Sequence, residues 1–334
     1  MNRLLRTTAP ALAAVLALTA CSSSSDGGDE GRGTTLTFSN SYTEDHPHTR
    51  CGIDLVAERV TEADVDLTVD TFPNSQLGSN TETFASVMSG DIDMDVQGSA
   101  ALGAAHSPIG VFDAAYAFDD VDHMFSFFDS PAADPVKDGF TEVTDARILD
   151  VWYFGERHFT ANRAIRGPED LAGLRMRFPD SPIYLANAAA LGASPTAVAF
   201  EEVYMALQQG IVDGQENPIA TIAADNFDEV QSHISLSRHQ IGSQMIVVSG
   251  ATWAGLTPEQ QEALQEAVSS VREDNRACIE EAEAETLAEW EATGAIEVVD
   301  DVDVETFRER ARAYFEETLE GEELELYRSF QDAD

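Results

Sequence analysis

Two arginines and one short polar run carry the chemistry that this sequence offers. Arg177 lies in Arg175-Met176-Arg177-Phe178, where strand alternation turns its guanidinium to one face and the apolar Met176 and Phe178 to the other. A guanidinium is planar and charged, and its parallel N–H donors match the two oxygens of a carboxylate. Arg157, in Gly155-Glu156-Arg157-His158-Phe159, is a second such group, and Asn217 offers an amide near the end of Asp213-Gly214-Gln215-Glu216-Asn217-Pro218. Structural roles stay open for each: Asp170 or Asp180 can satisfy Arg177, Glu156 or Asp150 can satisfy Arg157, and Asn217 can cap a turn before Pro218. Taken together, the set suits holding an anion better than breaking a bond.

Enzymatic readings need groupings that are missing. Asp213 and Glu216 form a superficial carboxylate pair, but a hydrolase needs two such groups at a defined separation with one kept protonated. The Gly-containing run around them fixes no orientation. His46-Pro47-His48 hints at metal, yet no Cys, His or Asp group at ligand spacing accompanies it, so no metal and no cofactor are expected. The sole lysine, Lys137, lacks the glycine context of a phosphate loop.

The elements that must position these residues follow a strand and helix rhythm. Thr35–Ser39 reads as a first strand, and a helix from about residue 47 to 60 carries Ile53, Val56, Ala57 and Val60 at helical spacing. Asp66–Phe72 alternates, Pro73–Gly78 turns, Thr81–Ser89 is helical, and Gly90–Val96 restarts the pattern. Ile148–Tyr153 is extended and leads to Gly155. Arg175–Phe178 is a short strand, and the helix Ile183–Leu191 is stopped by Gly192 and Pro195. Ala199–Pro218 reads as an amphipathic helix, a glycine break and a polar loop. Gln244–Ser249 is β-forming, and Pro258–Trp290 is a helix that at about 1.5 Å per residue is long enough to strap two lobes. The alternation predicts an α/β protein with parallel strands and covering helices.

The ends and the charge bound the setting. Arg3, Arg6, an apolar run over Ala9–Leu18 and Leu18-Thr19-Ala20-Cys21 read as a secretory signal over residues 1–20 ending in a lipobox, with Cys21 lipidated. Residues 21–33 are a Ser/Gly/Asp tether. The rest, about 300 residues, exceeds one compact core and favours two lobes. Lobe I is placed at 34–154 plus 243–282, and lobe II at 155–242 plus 283–334. The formal charge is −42 for the whole chain; without the signal, 17 basic face 61 acidic residues. Such a surface repels nucleic acid and anionic membranes, and it predicts adaptation to high salt. Cys51 and Cys278 remain as a possible disulfide or as two buried thiols.

Ordered motifs cover nearly the whole mature chain: His46-Pro47, Pro73–Gly78 (P-N-S-Q-L-G), Gly90–Met94 (G-D-I-D-M), Gly155–Asn162 (G-E-R-H-F-T-A-N), Pro168–Pro179 (P-E-D-L-A-G-L-R-M-R-F-P) and Leu207–Pro218. In order and spacing they resemble the DctP-type solute receptors of TRAP transporters, the ion-coupled tripartite uptake systems for organic acids, in a lipoprotein form. The resemblance implies a two-lobed periplasmic-binding-protein-like fold, each lobe a β-sheet flanked by helices and hinged around a ligand cleft.

In that family the arginine on the strand after P-E-D-L-x-G-L forms a bidentate salt bridge with the ligand carboxylate, which corresponds to Arg177. The arginine of the G-x-R segment assists it, here Arg157, and the Asn before Pro contacts the ligand, here Asn217. His46, Asn74, Phe178, Tyr184, Glu216 and Trp253 are further candidates for lining the cleft. The implied partners are a small-molecule carboxylate and the small and large permease subunits. The receptor is expected to be a non-enzymatic monomer, extracytoplasmic and held at the membrane only by its lipid. The H-P-H and R-H-F-T-A-N segments lean toward a sugar acid over a dicarboxylate. Alternatives are a lipoprotein that senses organic acids for a signalling partner, or a secreted sugar-acid lyase or hydrolase.

Overall fold

The computed structural model describes residues 33–331; the signal 1–20, the Cys21 lipidation site and nearly all of the 21–33 tether lie outside the described residues. Strand β1 (Thr34–Ser39) pairs in parallel with β2 (Leu67–Phe72) on one side and β3 (Met94–Gln97) on the other. Between β1 and β2 a π-helical turn (Thr49–Ile53) leads into the helix Asp54–Glu62, which buries Val56 and Val60 at the predicted spacing. The helix Asn80–Ser89 covers the crossover from β2 to β3.

Strands β4 (Arg147–Ala161) and β8 (His233–Val248) have 15 and 16 residues and pair antiparallel along most of their length. At about 3.3 Å per residue each spans about 50 Å. Strand β3 borders β8 toward one end of this ribbon, and β7 (Gly214–Pro218) borders β4 toward the other. Strands β5 (Arg175–Phe178) and β6 (Ser194–Ala197) extend the sheet beyond β7, and β9 (Glu297–Val299) pairs with β8. The order β2-β1-β3-β8-β4-β7-β5-β6 makes one mixed sheet. The resemblance implies a sheet in each lobe; β4 and β8, long enough to pair with strands toward both ends of the ribbon, join these into one mixed sheet.

Two further segments differ from the sequence reading. Gly214–Pro218, read as a loop, is a strand whose five residues are all buried between β4 and β5. Ser194–Ala197, read as the end of a helix, adds β6 at the sheet edge, where Pro195 is tolerated because an edge strand has an unpaired side. The helices Val121–Asp129, Asp134–Thr144, Val304–Thr318 and Gly321–Gln331 have no counterpart in that reading. Phe330 of the last one packs on Phe118 and Phe127, with ring centroids 4.5 and 4.6 Å away.

The long helix is Pro258–Thr293, opened by a capping box of Thr257 and Gln260 and closed by Gly294 at φ 68°. Its 36 residues give about 54 Å. Leu264, Val268 and Val271 pack in one core with Trp152, whereas Trp290 packs in another with Val203, Ile219 and Phe227. The helix therefore bridges separate hydrophobic cores, as a strap would. Cys278 on this helix is joined to Cys51, Cα to Cα 6.4 Å. Among the described residues no helix is long and apolar enough to cross a membrane.

Gly155 of β4 pairs with Gly242 of β8 beside a register shift at Tyr153/Gly155. Gly155 has φ +110°, and a Cβ there would lie 2.5 Å from Glu283 Oε1 and 2.6 Å from the Pro218 Cβ. Only glycine meets both demands.

Candidate functional site

Strands β4, β7 and β5 are neighbours, and this adjacency gathers the two arginines. Arg157 is opposite Pro218, Phe159 opposite Glu216, and Arg177 opposite Gln215. Arg157 Nε donates to Glu216 Oε2 at 2.5 Å and Nη2 donates to Oε1 at 2.8 Å, a bidentate pair with both side chains buried. Nη2 also donates to the Glu216 carbonyl at 2.9 Å and to Asn217 Oδ1 at 3.1 Å. The guanidinium lies between the rings of Phe154 and Tyr184, 5.6 and 5.1 Å from their centroids.

A second layer holds this one. Asn217 Nδ2 donates to Gln215 Oε1 at 2.6 Å, and Gln215 Nε2 to Thr160 Oγ1 at 3.0 Å. His239 Nε2 is 3.3 Å from Glu216 Oε2, with its ring stacked on Phe159. Burial alone would neutralise both members of the pair. The Arg157 charge and hydrogen bonds, helped by His239, outweigh it and hold Glu216 below the usual carboxylate value, while Glu216 holds Arg157 above that of a free arginine.

Arg177 is different. It is 3% exposed, and its Nε donates to the Val198 carbonyl at 3.0 Å. Among the described residues no carboxylate lies within ion-pair distance of it. Burial first, and then the Arg157 charge against the pull of Glu216, lowers its pKa to about 10, so the group stays charged at neutral pH. A buried cation without a counter-ion is costly unless something anionic joins it.

Arg157 and Arg177 face a cavity of about 410 Å³ that is also lined by Tyr42, Phe84, Asp113, Phe154, Tyr184, Phe200, Asn217 and Gln244. Of the expected site residues, the structure brings Arg177, Arg157, Asn217 and Tyr184 to this cavity. Glu216 stands behind Arg157, fully buried. His46, Asn74, Phe178 and Trp253 do not line it. His46 is stacked on Tyr42 at 4.5 Å with Nε2 3.3 Å from Thr221 Oγ1, and burial, then the Arg50 charge, lowers its pKa to about 3. It therefore supports a lining ring as a neutral base. Asn74 has φ 56° in a turn and donates its backbone N–H to the Tyr42 carbonyl at 2.6 Å. Phe178 is core, on the face opposite Arg177 as strand alternation requires. The Trp253 ring lies 5.3 Å from the Arg147 guanidinium.

The Asp213/Glu216 pair does not form. Asp213 sits at the surface bound to Arg175, Oδ1 to Nη2 2.7 Å, while Glu216 belongs to Arg157. Tyr42, Asp113, Phe154 and Gln244 were missed. Asp113 left a faint trace as a lone polar residue inside an apolar run, G-V-F-D-A-A, whereas Gln244 follows Ser243 at the start of its run and left none.

Comparisons with known proteins agree with this architecture. Residues 38–322 match the family model of DctP, bacterial extracellular solute-binding protein, family 7. The sialic acid-binding periplasmic protein SiaP of Vibrio cholerae is 32% identical over 260 residues, 78% of this chain and 80% of that protein. A TRAP periplasmic solute binding protein from Roseobacter denitrificans OCh 114 with bound L-galactonate superposes with a TM-score of 0.83 at 28% identity, over 90% of this chain and 99% of the other. Another from Sulfurospirillum deleyianum with bound succinate gives 0.81 at 26% identity, over 90% and 99%. Members of this family are substrate-binding proteins of transporters, not enzymes. The chain belongs to the DctP family of extracytoplasmic TRAP solute-binding proteins.

Proposed function

We propose that this protein captures an organic acid anion by its carboxylate, with Arg177 as the charge partner and Arg157 and Asn217 as fixed donors, and delivers it to a two-subunit membrane permease. The observation that carries this reading is Arg177: buried, charged, facing a cavity and without a carboxylate partner among the described residues. The ligands in the three related proteins, sialic acid, L-galactonate and succinate, share a carboxylate, which is the group a guanidinium fork recognises.

Capture couples to closure through backbone. Arg177 holds the Val198 carbonyl, and the segment that follows carries Phe200, whose ring meets Tyr42 edge-on at 6.1 Å. It also carries Glu201, whose Oε1 accepts from the Asn80 N–H at 3.2 Å. One wall thus touches the other across the cavity. The lobes 34–154 plus 243–282 and 155–242 plus 283–334 would hinge where Gly155, Gly242 and Glu283 meet, since those positions fall at the chain crossings between them. Cys21 would tether the receptor, a monomer, to the outer face of the membrane.

The test is a thermal-shift screen against organic and sugar acids. A ligand at ~100 times its dissociation constant adds about 2.7 kcal/mol of stability. A shift with one class of acid, absent with neutral sugars of the same size, is the expected result. A protein cleared of carried-over ligand that shifts with none of them overturns the reading.

A further inference from the structure

Strand β8 bulges beside the Arg157 and Glu216 pair. Arg157 is opposite Gln240 and Phe159 opposite Ser235, so residues 236–239 of β8 stand against His158 alone on β4. The surplus residues turn the backbone left-handed at Arg238, φ 44°, and the Arg238 N–H donates to His158 Nδ1 at 3.2 Å. Tyr116, which packs on the bulge, is left-handed too, at φ 55°. Bulky residues rarely occupy that region, and such strain persists only where surrounding contacts enforce it. Tyr116 supplies those contacts, donating its backbone N–H to the His239 carbonyl and its hydroxyl to the Ser237 carbonyl, both at 2.9 Å. It therefore grips the residues on either side of Arg238.

The bulge presents His239. Its ring stacks on Phe159 at 4.4 Å, with Nε2 3.3 Å from Glu216 Oε2 and Nδ1 2.8 Å from Ser237 Oγ. Ser237, His239 and Glu216 are all fully buried. Burial, helped by the Arg157 charge, outweighs the pull of Glu216 and lowers the His239 pKa, so the ring is neutral at pH 7. An ionised carboxylate only accepts, so Nε2 carries the ring proton; Nδ1 keeps a lone pair, and the Ser237 hydroxyl donates to it. The other tautomer would turn a lone pair toward Glu216 Oε2, the atom that accepts from Arg157 Nε at 2.5 Å.

We propose that Tyr116 and Ser237 are positioning residues for the Arg157 donor: Tyr116 holds the bulge in its strained turn, and the Ser237 hydroxyl holds His239 with its Nε2 proton on Glu216. Tyr116, Ser237 and His239 do not line the cavity. They act on an acid only through Glu216 and Arg157. That effect on binding rests on the carboxylate reading of the cavity; the effect on the His239 ring and the Arg157 guanidinium does not.

Nitrogen NMR of the protein, isotope-labelled in its histidines and arginines, reads both ends of this chain of contacts without any ligand. The His239 ring and Arg157 Nε signals are identified by their loss in His239→Gln and Arg157→Lys. Wild type is expected to show one His239 tautomer, protonated at Nε2, and an Arg157 Nε–H protected from exchange. Ser237→Ala is expected to move the Nδ1 signal to that of an unbonded ring nitrogen and to speed Arg157 Nε–H exchange about tenfold, the weight of one hydrogen bond. Tyr116→Phe should speed that exchange similarly. Adding Arg238→Gly, which adopts the left-handed turn without strain, should restore it. Calorimetry with L-galactonate, succinate and the other acids of the thermal-shift panel should show about tenfold weaker binding for Ser237→Ala and Tyr116→Phe, with circular dichroism confirming the fold. Wild-type His239 and Arg157 signals in Ser237→Ala, or a wild-type ring protonated at Nδ1, overturn the inference and leave the carboxylate reading standing. Changed signals with unchanged affinity overturn the positioning role. Expected signals in a protein that binds none of the acids sink the carboxylate reading alone.

Discussion

Arg157 Nε lies 2.5 Å from Glu216 Oε2, and the second bond of the fork, Nη2 to Oε1, is 2.8 Å. This pair is complete before any ligand arrives. Among the described residues, its neighbour on the cavity wall, Arg177, has only the Val198 carbonyl as a side-chain partner. In the proposed capture the two arginines divide the work: Arg157, held by Glu216, would be a fixed donor, and Arg177 would supply the charge for the anion. Locking the first lowers the side-chain entropy lost on binding.

Removing the lock should cost more in stability than removing the free charge. Glu216→Ala leaves a buried guanidinium uncompensated, a loss of about 3 to 5 kcal/mol. Urea unfolding of the variant, monitored by circular dichroism, checks this. A midpoint equal to wild type would mean that the pair contributes nothing to the fold.

Glu283, beside Gly155, gives the fold a pH dependence of definite sign. Burial, and then the negative charges of Glu156 and Glu280, raise its pKa from 4.5 to about 8. Glu156 is in turn paired with Arg238, and Glu280 with Arg276. A carboxyl whose folded-state value is raised supports the fold below its unfolded value, and that support is lost as pH rises toward the folded one. Wild-type stability relative to Glu283→Gln should therefore fall between pH about 4.5 and 8 and level off above. Parallel urea titrations across this range decide it; a difference independent of pH contradicts the assignment.

The Cys51 to Cys278 bond closes a separation of 227 residues and ties the segment after β1 to the long helix. Reduction should lower unfolding free energy by about 2 to 5 kcal/mol. Non-reducing peptide mapping should recover the two cysteines in one linked peptide, and two free thiols would exclude the bond.

The acidic surface predicts a response to salt. With a formal charge of −42 on the whole chain, self-repulsion is screened as the Debye length falls from about 10 Å at 0.1 M to about 3 Å at 1 M. The unfolding midpoint should rise on moving from 0.1 to 1 M KCl. An unchanged midpoint would remove the idea of salt adaptation.

The parts legible in the sequence were those set by local chemistry. The apolar spacing of Ile53, Val56 and Val60, the alternation in Leu67–Phe72 and the Thr257 and Pro258 start of the long helix all specify structure within a few residues. Gly214–Pro218 was not legible as a strand. Its G-Q-E-N-P composition favours a turn, and only pairing with both β4 and β5 overrides that preference. The same limit applies to the site. Arg177 and Arg157 announce themselves by type and motif. The positions of Asp113 and Gln244 on the cavity wall, and of His46 behind Tyr42, depend on contacts between residues far apart in the chain. Phe178 was misplaced for a simpler reason: a neighbour of Arg177 on a strand must point the other way.

The most direct measurement is calorimetric titration of wild type and Arg177→Ala with the acid that gives the largest thermal shift, beside a circular-dichroism check that the variant is folded. The account predicts a folded variant that binds about 3 to 5 kcal/mol more weakly. A folded Arg177→Ala protein with wild-type affinity would contradict it.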